Sequence, residues 1–546
     1  MRKHQTLRIA LLLALAMLVT AVLPAALAEA IWNEEGLPIV KDGATYEISI
    51  LWPARAIAPE PEAVKWIQYA EEQTGVKFTW QKISDAGVAE KINLMLASND
   101  LPDVFASHIS RSMVIQYLDQ GIFLPTEDLV ANYVPNLEVI FADNPVYRAI
   151  CTAPDGHTYG FPYIEEMYGL VNTPSILYIY KPWLDKLGLD MPQTIEAYVD
   201  VLRAFRDNDP NGNGEQDEIP LSASGYGELL NYFKLAYGGA SANGGLYLSV
   251  LDGKVVSTAI DEAMREDLKL FNLLYEEGLL DPDLFGSSTS GDWRGSIQSK
   301  VNNEEVIVGS PYLWIINGDV YDPERQSEYV ALPRLQGPVS GIGRRQNNTE
   351  LHDPLRMVIT TACEYPEIVA RFVNWCYEPE VSVVLNWGAL DYVYVKGEDG
   401  ILHWDTNENG LPNLKDGYNS IDEMRFVSSP VTLAEAIRSS YYGTVCDYPT
   451  DAKRILDDQI LQGKNEVIAE NEFLPPMWML PEENERLAQI SGNITNEISF
   501  GLQSFVLDGG IDDGWDGYVK SVNDAGLEEL LSIYQGAYDR YVQNMK

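Results

Sequence analysis

Histidine and cysteine are scarce in this chain and basic residues are heavily outnumbered: 546 residues hold 5 His, 4 Cys and 38 Lys+Arg against 81 Asp+Glu. Each shortage excludes something. His4, His108, His157, His352 and His403 stand far apart, and no HExxH, GxSxG or GxxxxGK[ST] occurs. Zinc-protease, serine-hydrolase and phosphate-loop chemistry therefore have no motif here. The glycine-rich stretch 337–343 lacks the strand-then-helix frame of a nucleotide loop. Cys151, Cys363, Cys376 and Cys446 form no CxxC and no Cys–His metal spacing; they read as buried small hydrophobes or, outside the cell, as one or two bridges whose pairing the sequence does not give. A net charge of −43 repels nucleic acid and anionic lipid.

Long apolar runs are lacking too, with one exception. Arg2, Lys3 and Arg8 open the chain, Ile9–Leu23 is apolar apart from Thr20, and Ala26-Leu27-Ala28 follows with the small residues a signal peptidase reads. As a helix that stretch rises about 22 Å, short of a ~30 Å bilayer core. Residues 1–28 are thus expected to be a signal peptide cut near Ala28. The mature chain is then secreted, extracytoplasmic and without a membrane span. No cysteine stands at the cut, which argues against a lipid anchor.

What is present is patterned. Tyr46–Trp52 reads as a strand, and Val64, Ile67 and Ala70 share a helical face that stops at Gly75. Val76, Phe78 and Trp80 alternate with Lys77, Thr79 and Gln81 as in a strand. Val88, Ile92, Met95 and Leu96 make a second helix, and Asp103–Ala106 a short strand. This order implies βαβ units and a parallel sheet, whose ligands sit at the strands' carboxyl ends. Trp52–Arg55 and Ala106–Arg111 then lie side by side at a cleft rim. A second α/β region starts near Leu177, with Ile195, Tyr198, Val199, Leu202 and Phe205 on one helical face.

The most specific chemical signal follows that helix: DPNGNGEQDE, residues 209–218. Calcium needs several hard oxygen ligands, and a tight glycine-containing loop supplies them from alternate positions. Asp209, Asn211 and Asn213 fall where the first three side-chain ligands belong. Gly214 falls at the sharp turn, and Glu215 where a backbone carbonyl is used. Pro220 occupies the place of the closing glutamate, so Asp217 and Glu218 would complete a structural calcium site. The other rich vein is aromatic, 12 Trp and 31 Tyr, suited to stacking on sugar rings. Trp52, Trp293, Trp314 and Trp387 sit near loop residues and are candidate sugar contacts. Arg55, Ser107, Tyr163 and Glu166 are their polar companions.

Several segments in order carry a family resemblance: Leu94–Ser98 with Asp100–Asp103, Gly121–Leu129, Tyr133–Asn136, Asp155–Pro162, Trp183–Leu189, Asp209–Leu221, Glu277–Pro282 and Trp515–Val519. With them the chain resembles the extracellular solute-binding proteins of carbohydrate ABC importers, in the subgroup of the LplA-type lipoproteins and alginate-oligosaccharide binders. The resemblance implies a two-lobe clamp, and a calcium ion in the loop like 209–218. The chain departs from it by lacking the lipobox cysteine and by reading Trp387-Gly-Ala-Leu-Asp391-Tyr392 where relatives often carry Gly-x-Glu-Gly.

The expectation is a two-lobe, type II periplasmic-binding-protein-like α/β clamp. Its first lobe spans 31–165 and 300–350, its second 166–299 and 351–546, with crossovers near Tyr159–Tyr163 and Leu332–Gly337. It is expected to be a monomer that binds an oligosaccharide reversibly and delivers it to ABC-importer permease subunits. The rivals are a sugar sensor that docks on a receptor kinase, and a secreted polysaccharide-active enzyme using acids such as Glu165 and Glu166.

Overall fold

The computed structural model describes residues 31–41, 43–44, 46–84, 87–166, 175–240, 242, 244–285, 295–313, 316–333, 335–339, 344–345, 351–408, 412–447, 466–467 and 474–545. Residues 1–30, with the expected signal peptide, lie outside them.

The strands in chain order are β1 Glu47–Ala54, β2 Lys77–Ser84, β3 Val104–Ala106, β4 Phe161–Glu165, β5 Ile176–Tyr180, β6 Ile219–Ala223, β7 Leu248–Leu251, β8 Lys254–Ser257, β9 Val308–Leu313, β10 Tyr329–Ala331, β11 Arg344–Arg345, β12 Leu351–Ile359, β13 Tyr394–Lys396, β14 Leu402–Trp404, β15 Glu435–Ile437 and β16 Glu466–Val467. They build a six-stranded sheet, β15-β4-β12-β3-β1-β2, a four-stranded sheet, β10-β5-β9-β6, and three two-stranded pairs. β4, β5 and β9 are buried along their whole length, as strands covered on both faces must be, and β5 reads as an apolar run.

The βαβ opening is as expected. β1 pairs in parallel with β2 and β3, and the helix Lys65–Thr74 between β1 and β2 ends on Gly75 in the left-handed conformation. The helix Val88–Ser98 buries Val88, Ile92, Met95 and Leu96. The helix Ile195–Asp207 buries Tyr198, Val199, Leu202 and Phe205. Five strands of the first sheet share one direction. Only β12 opposes them, lying antiparallel between β3 and β4.

The expected lobe boundaries need correction. β9 and β10 join β5 and β6 in the second sheet, so residues 308–335 belong to the second core. β12, β15 and the helices between them join the first, so 351–446 belong there. Of the segment 351–546, the helices from Leu487 to Leu530 pack with the second core. Strand pairing over long sequence separations decides this, and no local periodicity reports it. The crossovers shift too. The chain leaves the first sheet at Glu165 and enters the second at Ile176; it returns between Val339 and Leu351, and crosses again between Asp447 and Leu474.

These crossings define the facing edges. The first sheet turns the carboxyl ends of β1, β3, β4 and β15 and the amino end of β12 toward the second lobe. The second sheet presents the amino end of β5 and the carboxyl ends of β6 and β9. Across the gap the helix Ile316–Asp319 packs on the helix Ile421–Ser428. At the sides Pro481–Asp508 packs on Arg111–Tyr117 and Leu527–Asn544 on Pro145–Cys151. Trp478, four residues after Leu474, returns to the first lobe, where it is buried with its indole N–H on the Ile150 carbonyl at 2.9 Å. No described helix is long and apolar enough to cross a membrane.

All four cysteines are buried and free. Burial pushes the thiols of Cys151 and Cys446 up to about 12 and that of Cys363 up to about 11. A thiol reagent at neutral pH is therefore expected to label none of them in the native protein and all four after unfolding. Rapid native labelling, or a disulfide found by mass spectrometry, contradicts this packing.

Candidate functional site

The loop 209–218 connects the helix Ile195–Asp207 to β6. Asp209 has φ 47°, and Gly212 and Gly214 have φ 84° and 82°, so the chain coils tightly. The Asp209 carboxylate accepts the N–H groups of Gly212 at 2.8 Å and Gly214 at 3.1 Å. Asn211 Oδ1 accepts Asn213 N–H, and Asn213 Oδ1 accepts Glu215 N–H. Both asparagine amides donate to Asp217, at 2.9 and 3.1 Å. Hydrogen bonds thus tie Asn211 and Asn213 to Asp217 and fold the loop on Asp209, while the Glu215 side chain is exposed. Glu218 Oε1 is buried without a partner, and burial, then Asp217 and Asp209, raise the Glu218 carboxyl above its ordinary range. An orphaned carboxylate oxygen beside two other acids suits a cation.

Among the described residues no three His, Cys, Asp or Glu side chains converge as a metal cluster, so the carboxylates of Asp209, Asp217 and Glu218 do not close around one point in this structure. Two neighbours were invisible in the sequence. Lys186 Nζ donates to the Pro210 carbonyl at 2.8 Å, and Glu305, just ahead of β9, accepts Asn213 Nδ2 at 2.8 Å.

At the facing edge of the first sheet the expected sugar contacts separate into groups. Trp52 is core: it is 1% exposed, its indole N–H reaches the Pro430 carbonyl at 3.3 Å, and it packs edge-on to Trp80. Its place two residues inside β1 turns it away from the rim, correcting the expectation. Trp293 and Trp314 lie outside the described residues. Glu166 accepts Tyr147 Oη at 3.2 Å, Arg438 Nε at 3.4 Å and Ser439 N–H at 3.4 Å, so its carboxylate is engaged at the flank.

Arg55, Ser107, Tyr163 and Trp387 do come together, through residues the sequence did not single out. Arg55 lies over the Phe426 ring at 4.5 Å. Arg425 lies over the same ring at 5.4 Å and over Trp387 at 4.8 Å, and it donates to the carbonyl and side-chain oxygens of Asn386. Asn386 Nδ2 donates to Tyr163 Oη at 3.0 Å, and that hydroxyl donates in turn to Glu165. Arg356 lies over the Tyr163 ring at 4.6 Å and donates to Ser107 Oγ at 3.4 Å and the Val431 carbonyl at 3.1 Å. Ser107, at φ 77°, donates its N–H to the Arg356 carbonyl at 2.6 Å. The His352 ring stacks on Tyr163 at 5.1 Å, and burial lowers its pKa below the ordinary histidine range. The result is a wall of aromatic faces and oriented polar groups, the chemistry that holds a sugar.

The profile of bacterial extracellular solute-binding proteins matches residues 54–382. The chain belongs to that family. Its members bind solutes and are not enzymes. The chain is 33% identical over 497 residues to the fructooligosaccharide ABC transporter substrate-binding protein FusA of Streptococcus pneumoniae, covering 89% of this chain and 88% of that protein. The structure of FusA in complex with kestose superposes with a TM-score of 0.76 at 30% identity, over 91% of this chain and 100% of that one. A FusA EF-hand mutant in complex with fructo-nystose gives the same values. The alginate-binding protein AlgQ2 without calcium ion shares the fold at a TM-score of 0.69 and 20% identity, over 94% of this chain and 100% of that one. The two-lobe α/β architecture is therefore that of the periplasmic solute-binding proteins.

Beneath the wall, Glu435 on β15 faces Tyr163 in register and is fully buried, and neither carboxyl oxygen has a partner. Burial pushes this carboxyl up to about 8, against the pull of Arg356 and Arg425, with Glu165 adding to the rise. The unfolded chain ionises it near 4.5, so between that pH and about 8 the folded state holds the extra proton and stability falls as pH rises. Glu435→Gln removes this dependence. Relative to wild type its melting temperature is expected to be about equal near pH 4.5 and higher by pH 8.5, where the stability difference is on the order of 4 kcal/mol. Parallel melting curves over that range would show that Glu435 is ionised throughout.

Proposed function

We propose that this protein is the exported substrate-binding protein of an ABC importer and that it holds an oligosaccharide between its lobes. The observation that carries the reading is the wall of Arg55, Ser107, Tyr163, Arg356, Trp387 and Arg425 on an edge facing the second lobe, in a chain one-third identical to FusA. Aromatic faces take the C–H faces of sugar rings, and amide, guanidinium and carboxylate groups take the hydroxyls. Trp293 and Trp314 remain candidates on sequence grounds. The signal at residues 1–28 supports export with cleavage near Ala28, and the mature chain works as a monomer that hands its ligand to the permease subunits.

Calorimetric titration with kestose and other trisaccharides tests the reading. Trp387→Ala is expected to weaken binding of whichever sugar binds by about 2 kcal/mol, roughly 30-fold. Wild-type affinity in a folded Trp387→Ala protein excludes Trp387 from the site.

The loop 209–218 is proposed to bind one calcium ion through Asp209, Asn211, Asn213, the Glu215 carbonyl, Asp217 and Glu218. The ion orders the turn into β6 and takes no part in chemistry. Because it binds only the folded loop, a chelator is expected to lower the melting temperature and excess calcium to restore it. Asp209→Asn should blunt both effects. Desalted protein without calcium and with a chelator-insensitive melt would falsify the assignment.

A further inference from the structure

The relatives differ in the charge of what their names say they bind: kestose is uncharged, alginate is a polyanion. The wall in this chain is not neutral ground between them. Glu165, Glu166 and Glu435 all belong to the β4–β15 side of it, and Glu165 and Glu435 are 5% and 0% exposed. The basic side chains nearest to them, Arg356, Arg425, Arg438 and His352, each already have partners. Arg356 serves Ser107, the Val431 carbonyl and the Tyr163 ring. Arg425 serves Asn386 and the Trp387 and Phe426 rings, with Asp422 at 3.7 Å. Arg438 pairs with Asp143 at 2.8 Å and with Glu166. His352 lies 3.8 Å from Glu165, and burial favours its neutral form. Arg356 keeps one buried N–H, Nε, without a partner, against two such oxygens on Glu435.

We infer that this wall selects uncharged oligosaccharides and rejects uronates, and that Glu165 and Glu435 set the selection; this rests on the sugar-binding reading above. A uronate carboxylate has to draw a guanidinium away from its present partners, which leaves Glu165 and Glu435 less compensated in a water-poor site. A hydroxyl makes no such demand, since it donates to a carboxylate and accepts from an N–H without moving charge. The net charge of −43 opposes a polyanion at long range as well.

The test is calorimetric titration of the mature chain with kestose, maltotriose and cellotriose as neutral probes and trigalacturonate as the charged one, near pH 7 and near pH 9. At least one neutral trisaccharide is expected to bind, and trigalacturonate at least about 30-fold more weakly, the scale of an unfavourable like-charge contact. Glu165→Gln should narrow that ratio severalfold at both pH values. Glu435→Gln should narrow it chiefly near pH 9, above the pH of about 8 at which this carboxyl ionises. Both replacements are near-isosteric, and a melt near wild type confirms folding. Trigalacturonate binding as tightly as the neutral sugars, or a ratio unchanged in both folded variants, overturns the inference while the sugar-binding reading stands. Binding of none of the four probes removes both.

Discussion

The hydrogen-bond ladders that seat Leu351–Ile359 between β3 and β4 join stretches of chain separated by almost the whole second lobe. Because β12 completes the first sheet from so far along the sequence, the two lobes cannot be successive beads. The chain has to leave, build the second sheet and come back. The fit is close: a Cβ on Gly160 would lie 2.9 Å from Leu355 Cα, so any side chain there pushes β12 off the start of β4. The ladder is irregular on both sides of Asp353, where Pro354 brings no N–H. Bulged strands re-aim side chains, and this one carries His352 and Arg356 to the wall.

The wall itself depends on arginine's geometry. Arg356 and Arg425 each stack on an aromatic ring and donate in plane to carbonyl, hydroxyl or amide oxygens. A planar guanidinium does both at once and a lysine ammonium cannot. The same two cations compensate Glu435, whose carboxyl has no hydrogen bond of its own. Packing Trp52 beneath the segment that follows the helix Ile421–Ser428, with its N–H on Pro430, holds the support in place. A residue expected at the ligand thus turns out to underpin the wall instead.

How much was legible follows from the range of each signal. The opening strands and helices could be read because their periods of two and three to four are local. The tight turn at 209–218 could be read because the residues that build it sit in one short stretch. Ser107 and Arg55 could be placed because ligand edges follow strand ends in parallel sheets. Nothing local announces that Asn386, Arg425 and Glu435 belong with Tyr163. They sit on a helix end, a helix and a short strand assigned by sequence order to the other lobe, and only the pairing of β15 with β4 brings them home. His352 looked like one more isolated histidine for the same reason.

The direction of β6 separates the two candidate sites and gives the proposed ion a structural place. β6 starts at Ile219, just after the loop, and runs to Ala223 at the edge that faces the first lobe. At 3.3 Å per residue its five residues span roughly 15 Å, so the loop lies at the far edge of the second sheet. β9 runs parallel to β6, and Glu305, which reaches Asn213, precedes it at that same far edge. An ion there cannot touch a sugar in the cleft. It can fix how β6 and β9 enter the sheet, and with them the carboxyl ends that form the second lobe's side of the cleft. The turn at one edge of the sheet is thus joined to the cleft edge at the other by two paired strands.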